Sequence, residues 1–307
     1  MPIYHNEPID LMVDYAFKQL FGQARNKDLL ISFLNALLTN SLASPIISVQ
    51  FGNTEQAQEY REDKLSRMDV FVETDQQERI NIEMQVAHDY GMAKRTLYYW
   101  AELYRGQVVS GASYQELHRV ITINLIDFVQ FPSTDRYHTS YHVVEDQTHE
   151  RLSDALEVHF VEMPKLRKSI TDLEKAVQDP LEKWLLLLES GKNKTIHHVL
   201  EVAAMNDVEL KKALDEVEEI GRKPENWALY ISRKKAILDE VSREASYRER
   251  IEKAHEQGME QGLEQGMEKA RIELIQHMLS KKLSPEEITN LTDIPLEDIK
   301  KIAESIH

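Results

Sequence analysis

The feature that most constrains the fold is a pair of short segments in which polar and apolar residues alternate. Residues 67–72 (RMDVFV) and 80–85 (INIEMQ) are rich in Val, Ile and Phe, and each alternates in polarity, which is typical of β-strands. The segment between them, residues 74–78 (TDQQE), is polar and predicts a turn. The sequence therefore predicts an antiparallel hairpin.

This hairpin would bring two acidic side chains together. Residues two positions apart on a strand point the same way, so Glu83 and Gln85 share a face. A hairpin symmetric about Gln76 puts Asp69 directly opposite Glu83, with about 5 Å between the Cβ atoms. Carboxylates this close repel each other unless a cation lies between them. Mg²⁺ commonly binds one or two carboxylates and fills its other positions with water and phosphate, so Asp69 and Glu83 are candidate metal ligands.

Composition indicates a soluble globular protein. The 307 residues are 42% hydrophobic and 29% charged, enough for a core of ordinary size and a second unit. The absence of cysteine excludes disulfides, thiolate metal sites and cysteine nucleophiles. The longest apolar run, residues 184–188, is far shorter than the about 20 residues of a membrane span, and residues 1–7 do not resemble a signal peptide. We therefore expect a cytoplasmic protein with no membrane contact.

The formal net charge of −16 opposes broad, non-specific affinity for nucleic acid. It is compatible with an enzyme that reaches DNA through a local basic patch and bridging metal ions. Any DNA binding is then expected to be weak at physiological salt, or to need a second subunit.

The remaining periodicity predicts a mixed α/β core. Apolar residues at helical spacing predict two helices within residues 8–40, with a break near Gly22, and an amphipathic helix over residues 89–109. Short apolar runs predict four further strands, at residues 46–51, 120–126, 140–144 and 157–162. The run at 120–126 is almost continuously apolar and is predicted to be central in the sheet.

From about residue 165 the pattern becomes helical. We expect three regions: a core at residues 1–165, a helical extension at 166–250, and a tail at 251–307 with a long helix and a small helical unit. The long helix is predicted over about residues 226–277. In the small unit, Ser284 begins a capping box. Its acidic residues roughly offset its lysines, so a protein-interaction or regulatory tail is favoured over a DNA-binding helix-turn-helix.

The predicted long helix contains a tetrapeptide repeat, EQGM-EQGL-EQGM, at residues 256–267. Small residues recur every four positions from Ala254 to Ala270, and such a stripe lets a second helix approach closely. Each Gly also costs helix stability by up to ~1 kcal/mol relative to Ala. Two interpretations remain open: a helix that forms a homodimer, which would present two active sites related by two-fold symmetry, or a flexible linker.

Several segments together resemble a known family. They are residues 14–18 (DYAFK), 33–38 (FLNALL), 67–70 (RMDV), 82–85 (IEMQ) and 94–99 (KRTLYY). Over roughly residues 8–165 the chain resembles the recombination-promoting nuclease (Rpn) family, which is transposase-like and belongs to the PD-(D/E)XK nuclease superfamily. The tail resembles tails of the same family less specifically.

The resemblance implies a restriction-endonuclease-like core, with a mixed β-sheet flanked by helices and an α-helical C-terminal region. It also implies cleavage of DNA with Mg²⁺, for which Mn²⁺ is a substitute. Asp69 and Glu83 match the metal-binding acids, and the backbone carbonyl of Met84 is a third candidate ligand. Asp14 matches an acidic position on the first helix that holds a metal-bound water or a second ion. Gln85 stands where the superfamily more often has lysine.

Gln85 can orient a water but carries no charge. The positive charge that offsets the negative charge of the transition state would then come from another side chain or from a second metal ion, or it would be absent. Lys94 and Arg95, on the predicted helix after the hairpin, are the nearest candidate substrate-binding residues. Arg95 is preferred because its planar fork suits phosphate.

The sequence therefore predicts a metal-dependent DNA endonuclease, which the resemblance links to recombination, transposition or defence against foreign DNA. The main alternative is a catalytically weak or inactive nuclease-fold protein that acts as an interaction or regulatory module, as the uncharged Gln85 would suggest. A third hypothesis is a nuclease held inactive by its own C-terminal unit. The plainest alternative is that the acids and basic residues named above are ordinary surface residues.

Overall fold

The computed structural model describes residues 8–52, 68–108 and 113–304. Arg67 and Val109, which belong to predicted elements, lie outside the described residues. The chain divides into two compact units, Met1–Ser242 and Arg243–His307. The predicted boundaries at residues 165 and 250 stay predictions, and the first compact unit extends well beyond residue 165.

A six-stranded mixed sheet lies at the centre of the first unit. Its strands are β1 (Val49–Phe51), β2 (Val70–Thr74), β3 (Arg79–Gln85), β4 (Val120–Ile126), β5 (His138–Tyr141) and β6 (Leu156–Glu162). They are ordered β1-β2-β3-β4-β6-β5, and β4 is parallel to both of its neighbours. Every residue of β4 is buried, so its continuous apolar run does mark a central strand.

The β2–β3 hairpin has the predicted register. Val70 lies opposite Ile82 and Val72 opposite Ile80, which is the expected symmetry about Gln76. Continued by one residue past the end of β2, the register places Asp69 opposite Glu83. Gln77 in the turn adopts a left-handed conformation, with φ of 63°.

Helices cover both faces of the sheet. Those of the first unit, up to the long last helix, are α1 (Asp14–Phe21), α2 (Lys27–Leu37), α3 (Met92–Arg105), α4 (Met163–Ser169), α5 (Leu173–Ala176), α6 (Pro180–Glu189), α7 (Lys194–Ala204) and α8 (Val208–Arg222). Gly22 separates α1 from α2, as predicted; a Cβ there would lie 2.7 Å from the Lys18 carbonyl oxygen.

The two sheet faces differ in their partners because side chains alternate along each strand. Ile80, Ile82 and Met84 share the main hydrophobic core with α1, α2 and α6. On the other face α3 packs over β4, where Thr96 Oγ1 donates to Asn124 Oδ1 at 2.9 Å. The polar residues of β3 therefore lie on the α3 side, at the predicted face.

Helices beyond residue 165 belong to the same core as the sheet. Trp184 of α6 is buried, and its ring packs edge-on against Phe21 at a centroid distance of 5.8 Å. The first turns of α9 (Pro224–Ser280) are anchored there too, since the buried Tyr230 accepts a hydrogen bond from Asp10 N–H at 2.9 Å.

The second unit contains the rest of α9, then α10 (Pro285–Thr292) and α11 (Leu296–Glu304). The predicted capping box at Ser284 is present. Ile275, Ile288 and Ile299 are fully buried and form a small core of their own. The predicted fold class, an α/β core followed by a helical C-terminal region, is confirmed. No helix in the described ranges combines the length and the apolar character that crossing a membrane requires.

Candidate active site

A cleft of about 440 Å³ lies where β2 begins and β3 ends. Its walls come from four segments distant in sequence: α1, the hairpin with the residues that follow it, α3, and the first turns of α9. The charged residues that line it are Asp14, Lys18, Asp69, Glu83, Arg95, Arg233 and Glu240. The predicted residues Asp14, Asp69, Glu83, Met84, Gln85 and Arg95 all line this one cleft.

Asp69 is held from two sides. Its Oδ1 pairs with Lys18 Nζ at 2.9 Å, and its side chain is only 9% exposed. Its Oδ2 accepts a hydrogen bond from Met84 N–H at 2.8 Å. Burial nevertheless raises the pKa of Asp69, because water is removed from the charged form and Lys18 only partly compensates.

Glu83 is buried beside it, with 4% of its side chain exposed. Asn81 Nδ2 donates to Glu83 Oε1 at 3.1 Å, and Arg95 Nη2 lies 3.6 Å from Oε2. Burial and the nearby Asp69 carboxylate raise the pKa of Glu83 to about 8. Without a further cation, Glu83 therefore holds its proton to a higher pH than an ordinary carboxyl group does.

These residues fit a divalent cation. Two buried carboxylates whose pKa values are raised gain most from a nearby positive charge, and carboxylate oxygens suit Mg²⁺. Met84 adds a backbone carbonyl, which a strand residue directs to the same side as its N–H. Across the described ranges, no three His, Asp or Glu side chains are grouped to hold a metal. Asp69 and Glu83 are therefore the candidate side-chain ligands, and an ion here would fill its other positions with backbone, water or phosphate oxygens.

Gln85 is tied to Arg95. Gln85 Nε2 donates to the Ala87 carbonyl at 3.1 Å, and Gln85 Oε1 accepts from Arg95 Nη1 at 3.3 Å. Arg95 Nε also donates to Tyr99 OH at 3.1 Å. A guanidinium thus lies in contact with both Glu83 and Gln85, near the position expected for a lysine.

Lys94, the other candidate cation on α3, is exposed and is not among the residues that line the cleft. The next residue along a helix is turned by about 100°, which is how Arg95 faces the cleft while Lys94 faces solvent. Of the two predicted substrate-binding residues, the structure brings only Arg95 to the acids.

Asp14 lines the cleft but is already paired. Arg233 Nε donates to Asp14 Oδ1 at 3.0 Å, and Arg233 Nη2 makes a shorter contact with Oδ2. Asp14 Oδ1 also accepts from Tyr15 N–H at 2.8 Å. The partner of Asp14 therefore lies 219 positions further along the chain.

Sequence reasoning missed Lys18, Tyr99 and Arg233. Lys18 had a usable signal, because it lies four residues after Asp14 on a predicted helix and so shares its face. Tyr99 had the same spacing from Arg95. Arg233 had no local signal, since it reaches the cleft only through the packing of α9.

The chain was then compared with known proteins. The family model for PD-(D/E)XK nuclease family transposases matches residues 11–246. A comparison with curated proteins gave no match, and neither did a comparison with solved structures.

Proposed function

Because the chain belongs to the PD-(D/E)XK nuclease family transposases, we propose that it is a Mg²⁺-dependent endonuclease that hydrolyses DNA phosphodiester bonds. Its setting would be DNA recombination or transposition, or defence against foreign DNA. The observation that carries the proposal is the pair of buried acids, Asp69 and Glu83, which face each other in a cleft that also holds three cationic side chains.

Asp69, Glu83 and the Met84 carbonyl would hold the ion. When bound, Mg²⁺ supplies a Lewis acid for a phosphate oxygen and lowers the pKa of a water. The chain's own contribution is placement. Met84 N–H fixes the orientation of Asp69, Asn81 fixes that of Glu83, and the Gln85 amide offers hydrogen bonds that can orient an attacking water.

The charge that Gln85 lacks would come from Lys18 and Arg95. Both side chains are about one-third exposed, at 32% and 35%, so their donors can reach a phosphate as well as the acids. Preorganised cations of this kind stabilise the extra negative charge of a phosphoryl-transfer transition state.

The direct test is nicking of supercoiled plasmid with Mg²⁺. Asp69→Asn and Glu83→Gln keep side-chain size but remove a metal ligand, so each should slow nicking about a hundredfold or more. Glu73→Gln is the matched control, because Glu73 is a partly exposed acid of the same hairpin, beside Arg79, and lies outside the cleft. Equal rates in wild type and both cleft variants would show that the site is assigned wrongly.

One observation favours the alternative of a weak or inactive nuclease fold. Each acid already lies beside a cation of its own chain, Asp69 beside Lys18 and Glu83 beside Arg95, and such contacts oppose metal binding. Titration calorimetry separates the two functions. No measurable heat for Mg²⁺ or Mn²⁺, together with no cleavage of any DNA form, would favour the interaction module.

A homodimer through the repeat helix belongs to the same proposal. A Cβ added at Gly258, Gly262 or Gly266 would meet no atom within 4 Å. The adjacent Met259, Leu263 and Met267 are 66–67% exposed. Small and apolar residues thus run together along an open helix surface in the second unit, and a second copy would cover them.

A further inference from the structure

The fourth wall of the cleft is supplied by α9. Arg233, Ile237 and Glu240 line the cleft and recur at spacings of four and three, so they share one helix face. That face is fixed, because Tyr230 is buried one turn earlier and Ile237 packs against the main core. Residues of the predicted helical extension, far along the chain from the hairpin, are thus part of the cleft.

Arg233 is held in position by only some of its hydrogen-bond donors. Its Nε and Nη2 are bound to Asp14, while a guanidinium has five N–H donors. Within the described ranges nothing binds Nη1. The side chain is 53% exposed, whereas Asp14 is 15% exposed. Asp14 therefore holds one edge of the guanidinium and leaves the other edge open to solvent in the cleft.

We propose that Arg233 is a DNA-binding residue that contacts a backbone phosphate through this open edge, with Asp14 holding the guanidinium in place. The inference rests on the proposed function and adds α9 to the substrate site. A planar guanidinium fixed by a carboxylate loses little entropy when it binds a phosphate. The family match also runs to residue 246, which includes this wall.

The salt dependence of DNA binding tests the proposal. Fluorescence anisotropy would measure the binding of full-length protein to a fluorescein-labelled DNA duplex, in a buffer that contains Ca²⁺. A gel would verify that the duplex remains uncut. The slope of log affinity against log salt is negative, and each phosphate contact increases its magnitude by about 0.9. Arg233→Gln should therefore make the slope shallower by about 0.9, and its affinity deficit should shrink roughly threefold between about 50 and 200 mM salt.

Two further variants complete the design. Lys235→Gln removes the same charge from the same helix, but Lys235 is exposed and lies outside the cleft lining, so its slope should match wild type. Glu240→Lys replaces an acid by a cation at the exposed end of the cleft face and should make the slope steeper. If Arg233→Gln fails to fold, Glu240→Lys tests whether this face of α9 contacts DNA.

An unchanged slope in Arg233→Gln would overturn the inference while leaving the nuclease intact. Tighter binding by Arg233→Gln would also overturn it, since the ion pair would then be a barrier to DNA. If wild-type protein binds no DNA, the proposed function fails together with the inference, so the wild-type titration tells the two failures apart.

Discussion

At the residue scale, the two acids are approached from different sides of the sheet. Lys18 reaches Asp69 from α1, which packs on the apolar face of β3, while Arg95 reaches Glu83 from α3 on the polar face. Neither cation is close enough in sequence to be part of the hairpin. Together they compensate part of the buried charge that Gln85 cannot, and the raised pKa values of both acids show that this compensation is incomplete.

The raised pKa of Glu83 predicts how stability depends on pH in the absence of metal. The pKa is about 8 in the folded protein, against an ordinary value of 4.5, so the folded state holds this proton more tightly than the unfolded state. Glu83 therefore contributes stability below pH 4.5, and that contribution is lost as the pH rises through about 8.

The measurement is urea unfolding in a chelator, for wild type and Glu83→Gln, which cannot ionise. Between pH 4.5 and 8 the free energy of unfolding of wild type should fall relative to the variant, at up to about 1 kcal/mol per pH unit. Parallel pH curves for the two proteins would mean that Glu83 is not buried beside Asp69.

At the element scale, sequence patterns predicted the features that depend on residues close together in the chain. The hairpin and β4 followed from side-chain alternation and apolar runs, and the register followed from a turn centred on Gln76. The break near Gly22 was predicted as well. The start of α3 was predicted three residues early. Asp89 Oδ1 accepts Gly91 N–H at 2.7 Å, a turn that delays the helix to Met92.

The cleft beyond the hairpin could be predicted only in part. Asp14 was identified because its segment resembles a family, and that resemblance does not depend on knowing the tertiary structure. Arg95 was identified because it follows the hairpin on a predicted helix and its planar fork suits phosphate. Arg233 could not be identified, because nothing within α9 distinguishes it from the other basic residues of a charged helix. Its role depends on the packing of Tyr230 and Ile237, which sequence periodicity alone does not orient.

The orientation of α3 gives a matched pair of variants. Arg95→Gln removes the cation that touches Glu83 and Gln85, so we expect plasmid nicking to slow by about tenfold to a hundredfold. Lys94→Gln removes the same charge from the next residue, outside the cleft, and should leave the nicking rate unchanged. Equal losses in both variants would indicate a general effect of charge on DNA binding instead of a role in the site.

At the scale of the whole molecule, the cleft and the family match cover the same part of the chain. The cleft draws on residues from Met12 to Glu240, and the match spans residues 11–246. The second unit, from Arg243 onward, has its own small core. The candidate site therefore lies within the first unit, and the proposed dimer through the repeat helix concerns the second.

The repeat helix predicts opposite outcomes for its two interpretations. Gly258, Gly262 and Gly266 lie in open helix surface, so a triple Gly→Ala variant of a lone helix should gain stability, by up to about 1 kcal/mol per site. If a second copy packs against the glycines, the added methyl groups should weaken the dimer. Light scattering with size-exclusion chromatography, alongside thermal melting, gives both readouts. A higher melting temperature, with the mass of a monomer for both wild type and variant, would contradict the dimer.

The central claim is that Asp69 and Glu83 converge on one divalent ion, and a crystal structure with Mn²⁺ tests it most directly. Anomalous scattering should place a single Mn²⁺ between the two carboxylates, within reach of the Met84 carbonyl, with Lys18 displaced from Asp69. A map with no anomalous peak in the cleft, and with the Lys18–Asp69 pair still in place at saturating Mn²⁺, would contradict the claim.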